Sequence, residues 1–453
     1  MRFLKPRPQL ANLAGIPLNA DSVRTLFSAT QFRVELLKQI AYAKQRIYLC
    51  SLYLQNDEAG AEVLAALYAA KTARPELDIA VLVDWHRAQR GLIGEGKQTG
   101  NAGWYQMQAK EHASVVPIYG IPVQTRELFG VLHLKGFVID DGVIYSGASI
   151  NDVYLHKHDK YRHDRYLLLE NSTLANCMVD FIRQHILSSS AVHRLDIAGI
   201  PATRSIRAEI RSFREKLKRA RYVFELPQNQ KRDNSPVSGL SVTALVGVGK
   251  HNPLNQIICQ LLAASEAQIT ICTPYFNFPL AVTREINRAL KRGVKIDIIV
   301  GDKSANDFFI PADQPFKMIG VLPYLYETNL RRFAKKHQLE MRNDQLKLHL
   351  WRDAGNSYHL KGLWIDQIYT LMTGNNLNPR AFRLDLENAL LIHDPEQQLA
   401  QQRQAELDSI YQYTTQIKHY QALEKLSDYP PDVRKLLNRL SRIRLDRLAY
   451  RVL

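Results

Sequence analysis

The chain has 453 residues, 46% of them hydrophobic and 23% charged, a globular composition long enough for two or three domains. Its apolar runs stop after a few residues, far short of the roughly 18 that cross a bilayer, and the opening MRFLKPRPQL has no signal core, so neither a membrane span nor secretion is expected. Sixty Lys and Arg against 44 Asp and Glu leave a net charge of +16, which attracts nucleic acid, an anionic lipid surface or a phosphorylated substrate without choosing among them.

In chain order, a helical stretch around Phe32 to Lys44 leads into QRIYLCSLYL (residues 45–54), whose β-branched and aromatic content reads as a strand. A helix around Glu58 to Arg74 and a second apolar strand, DIAVLVD (78–84), follow, then the glycine-rich RGLIGEGKQTGNAGWYQ (90–106) and the segment HLKGFVID (133–140). From about 188 to 244 the composition shifts towards Arg, Lys, Ser and Pro. Here residues 203–221 carry eight Lys and Arg against two Glu, with Ile206, Ile210, Phe213 and Leu217 on one helical face. A helix around Leu254 to Ser265, a strand in AQITICTPYF (267–276), a helix around Leu280 to Arg292 and the strand KIDIIVG (295–301) come next. The aromatic FFIPADQPFKMIGVLPYLYE (308–327) precedes the basic RRFAKK (331–336) and then HLKGLWID (359–366). After residue 395 the chain is Gln-rich and helical in pattern, and it ends in a basic helix introduced by Pro430, Pro431 and Asp432, with Asp432 as the expected N-cap.

HLKGFVID thus returns half a chain later as HLKGLWID, inside the same order of helices and strands. Such alternation is a layered α/β unit, present twice. The expected fold is α/β: two pseudo-twofold-related layered repeats at 1–187 and 245–394, a basic linker with an amphipathic helix at 188–244, and a helical C-terminal extension at 395–453.

Within each copy, His and Lys stand two residues apart on a segment that reads as a strand, so His133 with Lys135, and His359 with Lys361, project from one face. Packed face to face, the copies offer two imidazoles and two ammonium groups to one phosphate. A lone histidine on a strand is more often a core residue, but two of them, each with Lys at the same offset in a duplicated unit, are not explained by packing. One imidazole can attack a phosphodiester to give a phosphohistidine while the other protonates the leaving oxygen and then deprotonates the incoming hydroxyl. Asp140 and Asp366 fall an odd number of residues from their histidines and are expected to fix the strand end. Asp164, in HDRYLLL, and Glu387, in LENALLI, occupy matching positions just before the next apolar strand and are the expected orienting carboxylates. Cys50, Cys177, Cys259 and Cys272 are widely spread without metal-ligand spacing, so no metal and no cofactor is expected, and a reducing cytoplasm fits.

The doubled His-x-Lys-x4-Asp pattern resembles the signature of the phospholipase D superfamily, in which Asp140 and Asp366 count with the His–Lys pairs as the catalytic set. The resemblance continues into GASIN (Gly147 to Asn151) and GNNLN (Gly374 to Asn378), with Ala148 and Asn375 where that family usually has Ser. It implies phospholipase D-like repeats, Asn151 and Asn378 as phosphate-side donors, His133 as nucleophile and His359 as general acid/base. Over nearly its whole length, through HLKGFVIDD, HLKGLWID and TGNNLNPRAFRLDLENALLIHD, the chain is similar to the bacterial CDP-diacylglycerol–serine O-phosphatidyltransferases. That implies transfer of a phosphatidyl group from CDP-diacylglycerol to L-serine with release of CMP, and no requirement for nucleic acid. The residues alone give phosphodiester transfer. Cardiolipin synthases share the doubled motif but usually begin with membrane helices; a nuclease would suit the +16 charge equally; a noncatalytic binding protein should have lost a His or Lys from one motif.

A lipid substrate implies docking to an anionic membrane surface, at the cytoplasmic face of the cell membrane. Residues 203–221 and 432–453, the latter with seven Lys and Arg, read as basic amphipathic helices suited to such a surface. Residues 308–327 and 90–106 both lie between the second strand and the catalytic segment of their repeat, the aromatic one suited to acyl chains and the flexible one to a lid.

Overall fold

Polar side chains start the helices where the periodicity placed them. Ser28 accepts from the Gln31 N–H to begin Ala29–Tyr42, Asp57 from Gly60 to begin Glu58–Ala73, and Asn252 from Asn255 to begin Pro253–Ala264. Their apolar stripes, such as Phe32, Leu36 and Ile40 on the first, are fully buried against sheet. The computed structural model describes Leu10 and residues 13–90, 100–225, 239–311 and 313–442.

Two mixed sheets carry the duplication. In the first, the strands Ile118–Ile121, Asp78–Asp84, Arg46–Cys50, Phe137–Ile139, Gly142–Ser146, Tyr166–Glu170 and Val23–Leu26 are neighbours in that order. In the second, Leu346–Trp351, Lys295–Gly301, Gln268–Thr273, Gly362–Ile365, Tyr369–Thr373, Leu386–His393 and Ser241–Val248 repeat the order. The first three strands of each series run parallel and the remainder pair antiparallel. Buried residues of the first sheet form one continuous core with Met372, Leu386, Leu390 and Ile392 of the second, so the repeats are fused through apolar packing.

The repeats also exchange short segments, which the division by composition did not anticipate. Ile16–Pro17 pairs with Ser241–Val248 in the second sheet, and that strand begins before the boundary expected at 245. The extension after 395 is not purely helical: Ala400–Tyr411 is a helix, but Thr414–Ile417 becomes an edge strand beside Leu346–Trp351. The terminal helix begins at Pro431, so Asp432 sits in its first turn and is not the N-cap. Val433 and Leu437 turn its apolar face inward against Tyr324 and Tyr429, while residues 443–453 lie outside the described residues. In the linker, the helix Arg207–Arg219 buries Ile210, Phe213 and Leu217 in the first core, so its apolar face is not available to a membrane; residues 226–238 are outside the described set.

Candidate active site

The motif segments are not continuous strands. Leu132–His133 pairs in parallel with Leu386–Glu387 of the second sheet, after which the chain turns at Gly136 (φ 114°) and Phe137–Ile139 joins the first sheet. Only glycine adopts that backbone at ease, and a Cβ there would also meet Met178 at 2.6 Å. The second copy mirrors this. Ser357–Tyr358 pairs in parallel with Arg162–His163 of the first repeat, the His359 N–H donates to the His163 carbonyl at 2.8 Å, and Gly362–Ile365 enters the second sheet. Each His-x-Lys triplet therefore bridges from one repeat's strand to the other's.

This crossing sets the partners. His133 Nδ1 lies 2.9 Å from Glu387 Oε2, and His359 Nδ1 lies 2.8 Å from Asp164 Oδ2. Neither carboxylate is an exposed strand edge: Asp164 is 5% and Glu387 1% accessible. Lys361 Nζ contacts the His359 ring, 2.9 Å from Nε2, and stands 3.6 Å from Asp164. Lys135 Nζ donates to the Ala148 carbonyl and the Ser149 hydroxyl at 3.3 and 3.4 Å, so a hydroxyl reaches this lysine from one residue beyond Ala148. The two glycines that open GASIN and GNNLN are needed for close approach across the pseudo-twofold. A Cβ on Gly147 would stand 2.8 Å from Asp164 and 3.1 Å from Lys361 Nζ, and one on Gly374 would stand 2.8 Å from Lys135.

Burial dominates the electrostatics. It lowers both lysines to about 8 and holds both imidazoles well below their ordinary value, with the neighbouring ammonium adding to the depression. Burial pushes the Glu387 carboxyl up to about 8 against the opposing pull of Lys135 and Lys361, so the carboxylate that accepts from His133 Nδ1–H forms as pH rises through that value. Lys361 acts on His133 and Lys135 on His359, which makes the four groups one field. Two ammonium groups held near each other out of water are stabilised by an anion between them, and a phosphate is the natural occupant.

Asp140 and Asp366 stand apart from this cluster. Each adopts a left-handed backbone (φ 50° and 52°) at the turn after its strand and accepts three backbone N–H bonds: from Lys44, Gln45 and Arg46, and from Glu266, Ala267 and Gln268. The carboxylates are committed to fixing the strand end, which removes both from the groups that touch a substrate. Asn151 and Asn378 use Oδ1 to accept from the backbone three residues on, at Tyr154 and Ala381.

Several residues of the site carried no signal in the sequence. Asn388 holds the Lys135 backbone from the other repeat with two reciprocal 2.8 Å bonds, replacing a strand pair. The Tyr154 hydroxyl lies 3.1 Å from His359 Nε2. Arg162 pairs with Asp307 at 3.1 Å, and both charges reach His359. Each follows or precedes a motif residue by a fixed offset, yet only the packing of one repeat on the other gives it a partner. Of the two segments expected to flank the entrance, residues 91–99 are outside the described set and the rest of the glycine-rich one enters the helix Asn101–Glu111, while the aromatic one is divided: Leu322, Tyr324 and Tyr326 are buried, and residues 313–317 form an exposed loop that leads into a 3-10 turn at Met318–Val321.

The cardiolipin synthase, PLD-like domain family matches residues 258–411. The chain is 53% identical to the CDP-diacylglycerol–serine O-phosphatidyltransferase PssA of Escherichia coli, over 99% of this chain and 98% of that one. It is 48% identical to the CDP-diacylglycerol–serine O-phosphatidyltransferase of Haemophilus influenzae, over 98% and 97%. The crystal structure of the H. influenzae phosphatidylserine synthase superposes with a TM-score of 0.93 at 47% identity, covering 98% of both chains.

Proposed function

The chain belongs to the CDP-diacylglycerol–serine O-phosphatidyltransferases, and we propose that it forms phosphatidylserine through a phosphohistidine on His133, with His359 as the base that activates serine. It is a transferase that passes the phosphatidyl group of CDP-diacylglycerol to L-serine and releases CMP. The observation that carries the mechanism is the crossed pairing of each imidazole with the other repeat's carboxylate.

With Nδ1 turned to Glu387, His133 keeps Nε2 for the attack on phosphorus. The P–N bond forms as the bond to CMP breaks. CMP departs as a phosphate monoester, whose second proton has a pKa of about 6, so its departure needs little protonation. The harder transfer is the proton of the serine hydroxyl. A His359 kept neutral by burial takes that proton as serine oxygen displaces Nε2 of His133. Lys135, Lys361 and the amides of Asn151 and Asn378 supply positive charge and donors to the equatorial oxygens. The division between the histidines follows the usual one in the phospholipase D superfamily. Rapid acid quench with labelled CDP-diacylglycerol tests it: a label recovered on His133 is expected, and a label on His359 reverses the roles.

Peripheral docking on anionic membrane from the cytoplasmic side belongs to the same reading. No helix among the described residues is long and apolar enough to cross a membrane, and the substrate is a lipid. Support comes from the +16 charge and the loop where Phe316 and Met318, 43% and 75% accessible, flank Lys317. No nucleic acid is required in this reading. Parallel assays offering serine, glycerol phosphate, phosphatidylglycerol and single-stranded DNA test the substrate class; DNA cleavage without phosphatidyl transfer would overturn it.

A further inference from the structure

The two halves of the site are matched in their histidines, lysines and carboxylates and differ in what surrounds them. The turn capped by Asn151 places Tyr154 beside His359, whereas the equivalent turn capped by Asn378 has Ala381 at the corresponding position, with no hydroxyl to offer. Two residues before the orienting carboxylate stands Arg162 in one half and Asp385 in the other. Asp385 is fully engaged: it accepts from the Val131 N–H and from Arg380, whose remaining nitrogens donate to the Glu127 and Leu128 carbonyls. That pair braces a loop.

The Arg162 side is built differently. Its guanidinium lies over the Tyr154 ring, 4.7 Å from the centroid, and donates through Nε to the Ser357 hydroxyl. Asp307 Oδ2 accepts from Tyr275, but Oδ1, although 3.1 Å from Arg162, is out of hydrogen-bond geometry and has no other partner. A buried carboxylate oxygen, a guanidinium and a phenol hydroxyl thus lie together beside His359, and the phosphoryl chemistry assigned above uses none of them. Asp307 Oδ1 is thus held by the charge of Arg162 without a hydrogen bond, and it keeps its capacity to accept one from a ligand's donor.

We infer that Asp307, Arg162 and Tyr154 form the acceptor pocket for serine: Asp307 takes the ammonium, Arg162 the carboxylate, and Tyr154 helps hold the hydroxyl at His359. This rests on the proposed function and adds to it the residues that choose the acceptor. The charges are paired as a zwitterionic α-amino acid requires, an acid beside a base, and each side of a free acceptor lacking one charge would leave a buried group unmatched. Such sites discriminate strongly because the wrong ligand leaves a buried polar partner empty. The pocket lies on the His359 side, where an incoming nucleophile must enter if His133 holds the phosphatidyl group.

The test measures transfer to serine beside hydrolysis of CDP-diacylglycerol and exchange of labelled CMP, in mixed micelles. Asp307→Asn is expected to raise the serine KM at least tenfold and to lower the ratio of phosphatidylserine to hydrolysis product at least tenfold at fixed serine, with CMP exchange still measurable. Arg162→Gln is expected to shrink the preference for serine over ethanolamine, and Asp307→Asn the preference for serine over 3-hydroxypropanoate. An unchanged serine KM, or a parallel loss of CMP exchange, would overturn the pocket, the latter pointing to recognition of the cytidylyl group instead. Should a variant fail to fold, the parent enzyme decides: ethanolamine and 3-hydroxypropanoate competing as well as serine would overturn it equally. A parent that makes no phosphatidylserine at all would instead sink the proposed function.

Discussion

Glu387 of the second repeat holds His133 of the first, Oε2 to Nδ1 at 2.9 Å, and Asp164 of the first holds His359 of the second at 2.8 Å. Neither repeat contains a complete histidine–carboxylate pair. The parallel pairing of Leu132–His133 with Leu386–Glu387 is what brings the partners together, so the proposed mechanism requires the two repeats to be packed as one body.

Replacing His133 or His359 by Ala is expected to lower turnover by several orders of magnitude, as for any group acting in the transition state. Glu387→Gln keeps shape and burial but removes the charge that sets the imidazole tautomer. A loss on the order of 10²- to 10⁴-fold in kcat is expected, with little change in thermal midpoint. Full activity in Glu387→Gln would show that the carboxylate does not orient the nucleophile.

The pH profile follows from burial. Both imidazoles sit well below 6.5 and are neutral through the neutral range, so neither gives an acidic limb near 6.5; the Glu387 carboxyl, pushed up to about 8, gains its proton as pH falls through that value and sets the acidic limb there. The lysines, lowered to about 8, are charged below that value and lose their charge as pH rises through it. The plot of kcat/KM, which reports the free enzyme, should therefore fall above about pH 8 through the lysines as well as below it through Glu387. A bound phosphate anion favours the charged lysines, so the alkaline limb in kcat should move to higher pH. Coincident alkaline limbs in both plots would refute an anion-stabilised pair.

Asp140 and Asp366 should behave as structural residues. Asp140→Ala removes the acceptor for three backbone N–H groups, and a stability loss of about 1–2 kcal/mol is expected by analogy with helix caps. Activity per folded molecule, measured below the unfolding range, should change far less than in a His133 variant. A kcat loss as large as that of His133→Ala would return Asp140 to the catalytic set.

Activity is expected to survive chelation. Among the described residues no three His, Cys, Asp or Glu side chains group as a metal site needs, and in the proposed mechanism the His–Lys clusters supply the nucleophile and positive charge directly. Complete loss in EDTA, restored by a divalent ion in a micellar assay free of anionic lipid, would count against this chemistry.

Binding to anionic vesicles should weaken as salt rises, because attraction between surface charges is screened over about 8 Å at physiological ionic strength. Replacing Phe316 and Met318 by Ser and Lys317 by Gln should reduce binding while transfer in micelles persists. Equal binding of the parent to neutral and anionic vesicles would remove the electrostatic part; equal binding by the triple variant would remove the loop.

The sequence by itself determined the duplication, the order of helices and strands, and the chemical groups at the centre, because periodicity, capping and the His-x-Lys spacing are local properties of the chain. It also pointed to Asp164 and Glu387, which hold matching places ahead of the apolar runs in HDRYLLL and LENALLI. Only the tertiary structure decided which carboxylate serves which histidine, since the exchange of Leu132–His133 and Ser357–Tyr358 between repeats is a pairing of residues some two hundred positions apart. The same limit hid Asn388, Tyr154, Arg162 and Asp307, which are ordinary polar residues until the other repeat gives them a partner. It hid, too, the fate of the amphipathic helices: a hydrophobic face at residues 206–217 looks the same whether it meets lipid or core, and here the core of the first repeat buries it.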